Sequence, residues 1–224
     1  MMIEQISNLM DRVGAQWVLW LLAAMSVLSL TVVVERLLFL RKRRVPVELL
    51  EGELIAALDL GVEHAIALLK PYRGMAARVP LVALAHLHRG PAAIEELMTA
   101  REAAEHKSYE RFLGWLGSVG ANAPFVGLLG TVIGIMGAFA KLELSAGAAS
   151  ASRNQMIMGS ISEALVATAV GLFVAIPAVV LYNLLRTKVK EAQADTRILA
   201  GVVLAWSKQL LPAAAATPIK RQAA

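Results

Sequence analysis

One apolar segment, residues 160–183, constrains what this chain can fold into. It reads SISEALVATAVGLFVAIPAVVLYN, so a single carboxylate, Glu163, interrupts a run of apolar and small residues. The uninterrupted stretch 156–185 is about 45 Å long as a helix, whereas the hydrocarbon core of a bilayer takes about 20 residues. The segment therefore predicts a membrane-spanning helix that carries one acid.

An acid in such a helix is a candidate functional residue, because ionising it in hydrocarbon costs at least a few kcal/mol. Acids of this kind usually face a bundle interior or a water-filled path, and they often take part in ion or proton movement. The alternative is that the helix continues past the membrane and Glu163 is solvated in the headgroup region. The length of the stretch leaves both readings open.

Composition places the whole chain among membrane proteins. Of its 224 residues 58% are hydrophobic and the mean hydropathy is +0.62, more than a soluble domain of this size can bury. Small and aliphatic residues supply most of this, which favours close-packed helices over the alternating strands of a barrel. The predicted fold class is all-α, a polytopic membrane protein with three transmembrane helices, the second and third extending as long helices into the cytoplasm.

Several kinds of site are excluded or unsupported. The chain has no cysteine, which excludes disulfides, thiolate metal sites and cysteine nucleophiles. His86 and His88 suggest a metal site, but two positions apart they diverge on a helix, and no acidic cluster completes a ligand set. The net charge of +5 does not indicate a nucleic-acid partner, because the basic residues gather beside the apolar segments. We predict no metal and no cofactor.

Basic residues orient the spans. Residues 17–40 form the first predicted span, and the basic run 41–44 follows it, which by the positive-inside rule puts the N-terminus outside and the C-terminus in the cytoplasm. A cleaved signal peptide would carry its positive charge before the apolar core, whereas the basic run here follows it, so we do not predict a signal peptide. The other predicted segments are an outer-face amphipathic helix at 1–16 (or an ordinary frayed terminus), a cytoplasmic helical segment at 41–111, the second span at 112–142, an outer loop at 143–155, the third span at 156–185, and a cytoplasmic helix and tail at 186–224. The helix formers after residue 91 are predicted to continue unbroken into the second span.

The second span carries a glycine pattern. Gly120, Gly127 and Gly134 repeat every seven residues, and Gly130 and Gly137 repeat in the other core register. Such a seam lets helices pack with almost no side chain between them, or forms a smooth wall against a partner. Glycine is common in membrane helices, so part of the pattern carries no information.

Two threonines and two prolines match in depth between the second and third spans. Thr131 and Thr168 both fall about 15 Å below the predicted outer boundary, and Pro124 and Pro177 both fall about 25–30 Å below it, where each can bend its helix. A threonine hydroxyl in hydrocarbon can simply bond to the carbonyl four residues earlier. Two threonines at one depth beside a glycine seam favour the other interpretation, in which their hydroxyls form a polar lining. Glu163 and Thr168 lie about 140° apart around their helix, so both do not point at one axis.

Two segments resemble the MotA/TolQ/ExbB proton-channel family: residues 127–139, GLLGTVIGIMGAF, and residues 161–183, ISEALVATAVGLFVAIPAVVLYN. The three-span plan is similar to the TolQ/ExbB branch rather than the four-span flagellar stator branch. By matching motif, the resemblance implies that Thr131 and Thr168 are pore threonines and that Glu163 is a functional acid.

The same resemblance implies a set of partners and a location. It implies a pentamer in the bacterial inner membrane, surrounded by lipid, that encloses a single-span dimeric partner of the ExbD/TolR type. Proton flow would drive force or rotation, with a TonB/TolA-like protein as a further, force-transmitting partner. Outer-membrane uptake, envelope maintenance and gliding motility would all use these membrane motifs.

Two other function classes stay open from the residues alone. A structural membrane scaffold explains the glycine seam but leaves Glu163 and the matched threonines without a role. An intramembrane hydrolase needs a nucleophile with a base, or paired acids. The spans carry serines such as Ser160 and Ser162 but no histidine and only one firmly placed acid, so we predict that the chain is not an enzyme.

Overall fold

The computed structural model describes residues 16–144 and 150–215, and within these ranges the regular structure is helical, with no strand. Residues 1–15 of the predicted amphipathic helix and residues 216–224 of the predicted tail lie outside the described residues. The helices are α1 (Gln16–Lys42), α2 (Val47–Leu60), α3 (Val62–Leu69), α4 (Met75–Ala85), α5 (Pro91–Glu110), α6 (Leu113–Leu144) and α7 (Ser150–Ala215), with a 3₁₀ turn at Leu87–Arg89.

Three helices in the described ranges are long and apolar enough to cross a membrane, and they are α1, α6 and the first part of α7. Their surfaces carry large apolar side chains: Trp20 and Phe173 are each 77% exposed within the single chain. Side chains of this kind on a span are covered by lipid or by another subunit rather than by water. The predicted all-α class with three spans is confirmed.

The third span and the helix after it form one element. α7 contains 66 residues without interruption, which corresponds to about 99 Å of helix. The predicted continuation of the third span into a long helix is therefore observed. α7 also begins at Ser150, inside the segment predicted as an outer loop.

The second span does not continue unbroken from the helix before it, and this prediction is wrong. α5 ends at Glu110, Phe112 has a φ of 64°, and α6 begins at Leu113. A left-handed φ is unfavourable for a bulky residue and interrupts the helical hydrogen-bond ladder. Glycine or asparagine usually marks such a position, so phenylalanine here gives no sequence signal.

The chain divides into two compact units. The span unit contains the residues up to Glu35 together with Phe112–Leu184, and so holds most of α1, all of α6 and the first part of α7. The helix unit contains Arg36–Arg111 and the residues from Leu185 onward, and so holds α2 to α5 and the rest of α7.

A leucine stripe on α2 builds the core of the helix unit. Leu50, Leu54 and Leu58 recur every fourth residue, so they share one face, and none is more than 2% exposed. Leu199 and Val203, both fully buried, bring the later part of α7 into the same core. Because helices as short as α2 to α4 are marginal alone, their stability comes from this shared burial.

Candidate functional site

The backbones of α6 and α7 approach each other closely at Gly127. A Cβ atom at this position would lie 2.8 Å from the carbonyl oxygen of Ala167 and 3.1 Å from the Cα of Thr168. It would also lie 3.2 Å from the Cα of Gly171, so glycine faces glycine here. These neighbours are backbone atoms, which cannot rotate away as a side chain can. The two backbones are therefore in contact because neither helix carries a side chain between them.

The same pattern continues along α6 and forms a seam. Four of the five predicted glycines face α7, whereas a Cβ at Gly137 would meet no atom of the described residues within 4 Å. Gly137 is thus not part of the α6–α7 contact in the described residues. The facing residues are Val179 at Gly120, Gly171 at Gly127, Ala167 at Gly130 and Ala164 at Gly134, and Gly130 also meets Val18 of α1.

This register places the two threonines at one level. Gly130 lies opposite Ala167, and α6 and α7 run antiparallel. Thr131 and Thr168 each follow one of these residues, so they lie within about 3 Å of the same level along the helix axes. The depth match estimated from the sequence thus agrees with the packing.

The two threonine hydroxyls make different hydrogen bonds. Thr168 Oγ1 donates to the carbonyl oxygen of Gly127 at 3.2 Å, across the seam. Thr131 Oγ1 donates to the carbonyl oxygen of Leu128 at 2.7 Å, within its own helix. Both side chains are half-buried. Thr131 therefore bonds within its own helix, but to the carbonyl three residues earlier rather than the one four residues earlier, whereas Thr168 joins the two helices.

Glu163 lies on the other flank of the α6–α7 pair. At about 100° per residue, Thr131 and Thr168 both fall on the flank away from Val18 of α1, and Glu163 falls on the flank that Val18 covers. We call the flank away from Val18 the open flank. It carries Leu128, Thr131, Leu165 and Thr168. The structure thus brings the two threonines together and separates the acid from them.

Burial supports this assignment. On the α1 flank, Ile133 of α6 is 5% exposed and Val174 of α7 is 7% exposed. On the open flank, Leu128 is 54% exposed and Leu165 is 63% exposed. Glu163 is half-buried. Glu163 thus lies on the α1 side of the helix pair rather than on the open flank.

Both prolines lie inside continuous helices. Pro124 is in α6 and Pro177 is in α7, and each helix continues on both sides of its proline. Since proline has no N–H, the carbonyls of Gly120 and Phe173 lose their usual helical partners. The bends expected at these positions stay predictions.

The paired histidines are not assembled as a metal site. His86 Nδ1 lies 2.9 Å from the carbonyl oxygen of Val82, to which it donates, and the centroids of the His86 and His88 rings are 6.2 Å apart. Across the part of the chain that the structure describes, no group of three or more histidine, cysteine, aspartate or glutamate residues is placed to hold a metal ion.

Two buried charges in the helix unit were not singled out by the sequence. Arg36 is 3% exposed and donates to the carbonyl oxygen of Ser108 at 3.0 Å. Glu105 is 5% exposed and lies among arginines. Arg101 and Glu105 are four residues apart on α5, and this spacing predicts an ion pair on one helix face. It does not predict that the Glu105 carboxylate is buried.

Parts of both the span unit and the helix unit match a known family. Residues 71–197 of the 224 match the model of the MotA/TolQ/ExbB proton channel family. The matched range contains α6 and the part of α7 that carries Glu163 and Thr168.

Curated relatives bear TolQ and ExbB names. The Tol-Pal system protein TolQ of Haemophilus influenzae is 46% identical over 91 residues, which are 41% of this chain and 38% of that protein. The biopolymer transport protein ExbB of Salmonella typhimurium is 37% identical over 123 residues, 54% of this chain and 49% of that protein. An ExbB-like biopolymer transport protein of Helicobacter pylori is 48% identical over 87 residues, 39% of this chain and 53% of that protein.

The chain thus spans about half or less of the length of the relatives it matches. Their names support the TolQ/ExbB branch, in agreement with the three-span architecture. The family is one of channels and not a class of enzymes. By its matched residues and its helical spans, the chain is a membrane protein that belongs to the MotA/TolQ/ExbB proton channel family.

Proposed function

We propose that the chain is a stator-type proton-channel subunit that works with a single-span ExbD/TolR-like partner. Together they convert proton motive force into mechanical work on the cell envelope, for transport, envelope integrity or motility. The observation that carries the proposal is the placement of Thr131 and Thr168 at one level on the open flank of α6 and α7.

Hydroxyls at this position support a polar path. Lipid offers a hydroxyl no hydrogen-bond partner, so polar side chains in spans usually face other helices or water. Neighbouring residues on the open flank, such as Leu128 and Leu165, are exposed within the single chain and need cover in the membrane. The partner's spans would supply that cover, with the two threonines facing them.

Glu163 has a separate role in this proposal. Because it lies on the flank that α1 covers, we propose that it binds a proton between helices rather than on the axis of the pore. Protonation there would change the charge at the contact between α7 and its neighbours, and so couple proton passage to helix movement.

The proposed location is the bacterial inner membrane, with the N-terminus in the periplasm and the C-terminus in the cytoplasm. The basic run 41–44 after the first span, and Arg186, Lys188 and Lys190 after the third, support this orientation. The work would pass to a TonB/TolA-like protein in the branches that transmit force across the envelope.

The subunit is expected to form a closed ring, with five copies as the family resemblance implies. The exposed leucines of its open flank, and Gly137, where an added Cβ would meet no atom of the described residues within 4 Å, are surfaces for contacts from outside the chain. Mass measurement of the purified protein in mild detergent should give one discrete multiple of the subunit mass. A monomer as the sole species would contradict the ring.

The threonines provide the test of the pathway. Replacing Thr131 or Thr168 by valine removes a hydroxyl with little change of volume, so we expect normal oligomer yield and a severalfold loss of proton flux in liposomes that contain the partner. The double variant should be little worse than the more damaging single one, because both changes interrupt one path.

Thr31→Val is the matched control. Thr31 lies on α1 and donates to the carbonyl oxygen of Val27 at 2.9 Å, so its hydroxyl, like that of Thr131, bonds within its own helix, but that helix is a different one. Its replacement should leave proton flux unchanged. Full flux in the Thr131 and Thr168 double variant would favour the non-conducting scaffold or a pore elsewhere.

A further inference from the structure

A buried carboxylate in the helix unit is surrounded by arginines from three parts of the chain. Glu105 on α5 accepts from Arg43 at 3.2 Å, from Arg78 at 2.9 Å and from Arg101 at 2.8 Å. Arg43 follows the last residue of α1, Arg78 is on α4, and Arg101 is one turn before Glu105 on α5. We call these four residues the arginine cluster.

The cluster has more positive than negative charge. Three guanidinium groups meet one carboxylate, which leaves two positive charges in excess within a few ångströms. Like charges held this close in a partly buried place repel each other strongly unless an anion joins them. The cluster as it stands is therefore incomplete in charge.

Two neighbouring acidic groups, Glu102 and Tyr109, do not supply the missing charge. Glu102, the preceding carboxylate on α5, accepts from Gln193 at 2.9 Å and lies 3.5 Å from Arg197. Tyr109 packs beside Arg43, but burial raises the pKa of its hydroxyl above the usual value, so it stays neutral. Its oxygen also accepts the backbone N–H of Met75 at 3.1 Å.

Aromatic packing holds one of the arginines in place. The guanidinium carbon of Arg43 lies 4.3 Å from the centroid of the Phe39 ring, and that of Arg36 lies 4.4 Å from the same centroid. Phe39 in turn meets Tyr109 edge to face, with centroids 5.2 Å apart. The fork of Arg43 is thus preorganised, which lowers the entropy lost on binding a ligand.

The cluster also has unused donors that solvent can reach. Each guanidinium carries more N–H groups than it spends on Glu105. One further donor, the Nε of Arg101, is itself buried and has no hydrogen-bond partner among the residues that the structure describes, so it is not one of the solvent-accessible donors. The side chains of Arg78 and Arg101 are 41% and 34% exposed. An anion can therefore approach without displacing Glu105.

We propose that Arg43, Arg78 and Arg101 bind a phosphate group, with Glu105 holding the three guanidiniums in position. Phosphate oxygens accept paired hydrogen bonds from guanidinium forks, and a phosphate supplies the negative charge that the cluster lacks. The phosphate belongs either to the headgroup of an anionic phospholipid or to a soluble ligand. Because Arg43 directly follows a span helix, the test includes a phospholipid as well as a soluble phosphate.

The test measures binding, so it does not depend on proton flux or on the proposed function. The full chain in detergent is titrated with inorganic phosphate by calorimetry at constant ionic strength, with chloride as the reference salt. In parallel, native mass spectrometry counts phosphatidylglycerol retained from mixed micelles, with phosphatidylcholine as the reference lipid. Saturable binding in either arm is expected for the parent protein.

Arg78→Gln should weaken that binding about tenfold, since it removes charge-assisted hydrogen bonds. Arg89→Gln is the matched control, because Arg89 is exposed, lies in the same unit and loses the same charge. Arg78→Lys keeps the charge and removes the fork, so it should weaken binding severalfold even if the glutamine variant fails to fold.

Binding of phosphatidylglycerol without inorganic phosphate would support the site and identify a lipid headgroup, and binding of phosphate without the lipid would support it with a soluble ligand. No saturable binding in either arm would overturn the proposal. Equal weakening by Arg78→Gln and Arg89→Gln would also overturn it, because that result is the signature of unspecific attraction to a basic protein.

Discussion

Glu163→Gln is expected to reduce proton-driven work to the background level while the oligomer assembles normally. Glutamine keeps the shape of the side chain and removes its ability to gain and lose a proton. Because Glu163 is half-buried beside the α1 flank of the span unit, a neutral amide is tolerated there at least as well as a carboxylate. The measurements are proton flux into liposomes that contain the partner, and oligomer mass in detergent.

Glu191→Gln is the control on the same helix. Glu191 is exposed and pairs with Lys188 at 2.6 Å on the surface of α7, so its loss should change neither flux nor mass. Unchanged work output in Glu163→Gln would show that the acid is only interfacial. Loss of the oligomer in that variant would instead assign Glu163 to assembly.

Gly127→Ala is expected to destabilise the span unit by about 1–3 kcal/mol, the usual cost of overpacking a close contact. The added Cβ would lie 2.8 Å from a carbonyl oxygen of the facing helix, and backbone atoms cannot move aside without separating α6 from α7. Thermal unfolding of the purified protein, or its yield after extraction, measures the effect.

Gly137→Ala is the comparison within the same helix. A Cβ there meets no atom of the described residues within 4 Å, and alanine favours helix over glycine, so the isolated subunit should be unchanged or slightly more stable. If Gly137→Ala lowers the stability of the assembled ring but not of the subunit, Gly137 faces a partner. Equal stability of Gly127→Ala and the parent would show that the helices separate at no cost.

Much of the fold follows from the sequence because spans are dominated by one physical effect. Long apolar runs and their basic flanks predict which residues of α1, α6 and α7 form the membrane spans. The threonine levels could be predicted for the same reason: a helix has a fixed rise per residue, so counting along Thr131 and Thr168 from common boundaries gives their relative depths. Local rules are sufficient for features of this kind.

Features that depend on packing between helices could not be predicted. The angle between Glu163 and Thr168 follows from the helix, but the flank on which each lies depends on where α1 packs, and the sequence does not specify that. The break at Phe112 has no glycine or asparagine to mark it. The arginine cluster joins residues far apart in the chain, and only the fold brings Arg43 and Arg78 to Glu105.

The hydrogen bond from Thr168 to Gly127 makes one oxygen a shared acceptor. In a regular helix the carbonyl of Gly127 also receives the backbone N–H of Thr131, four residues later. The two threonines are thus joined through a single atom, one by its side chain and the other by its main chain. If the Thr168 hydroxyl turns to bond a water molecule on the open flank, it releases the carbonyl oxygen of Gly127. That oxygen then accepts only the backbone N–H of Thr131. Water in the pathway and the geometry of the facing helix therefore compete for the same proton donor.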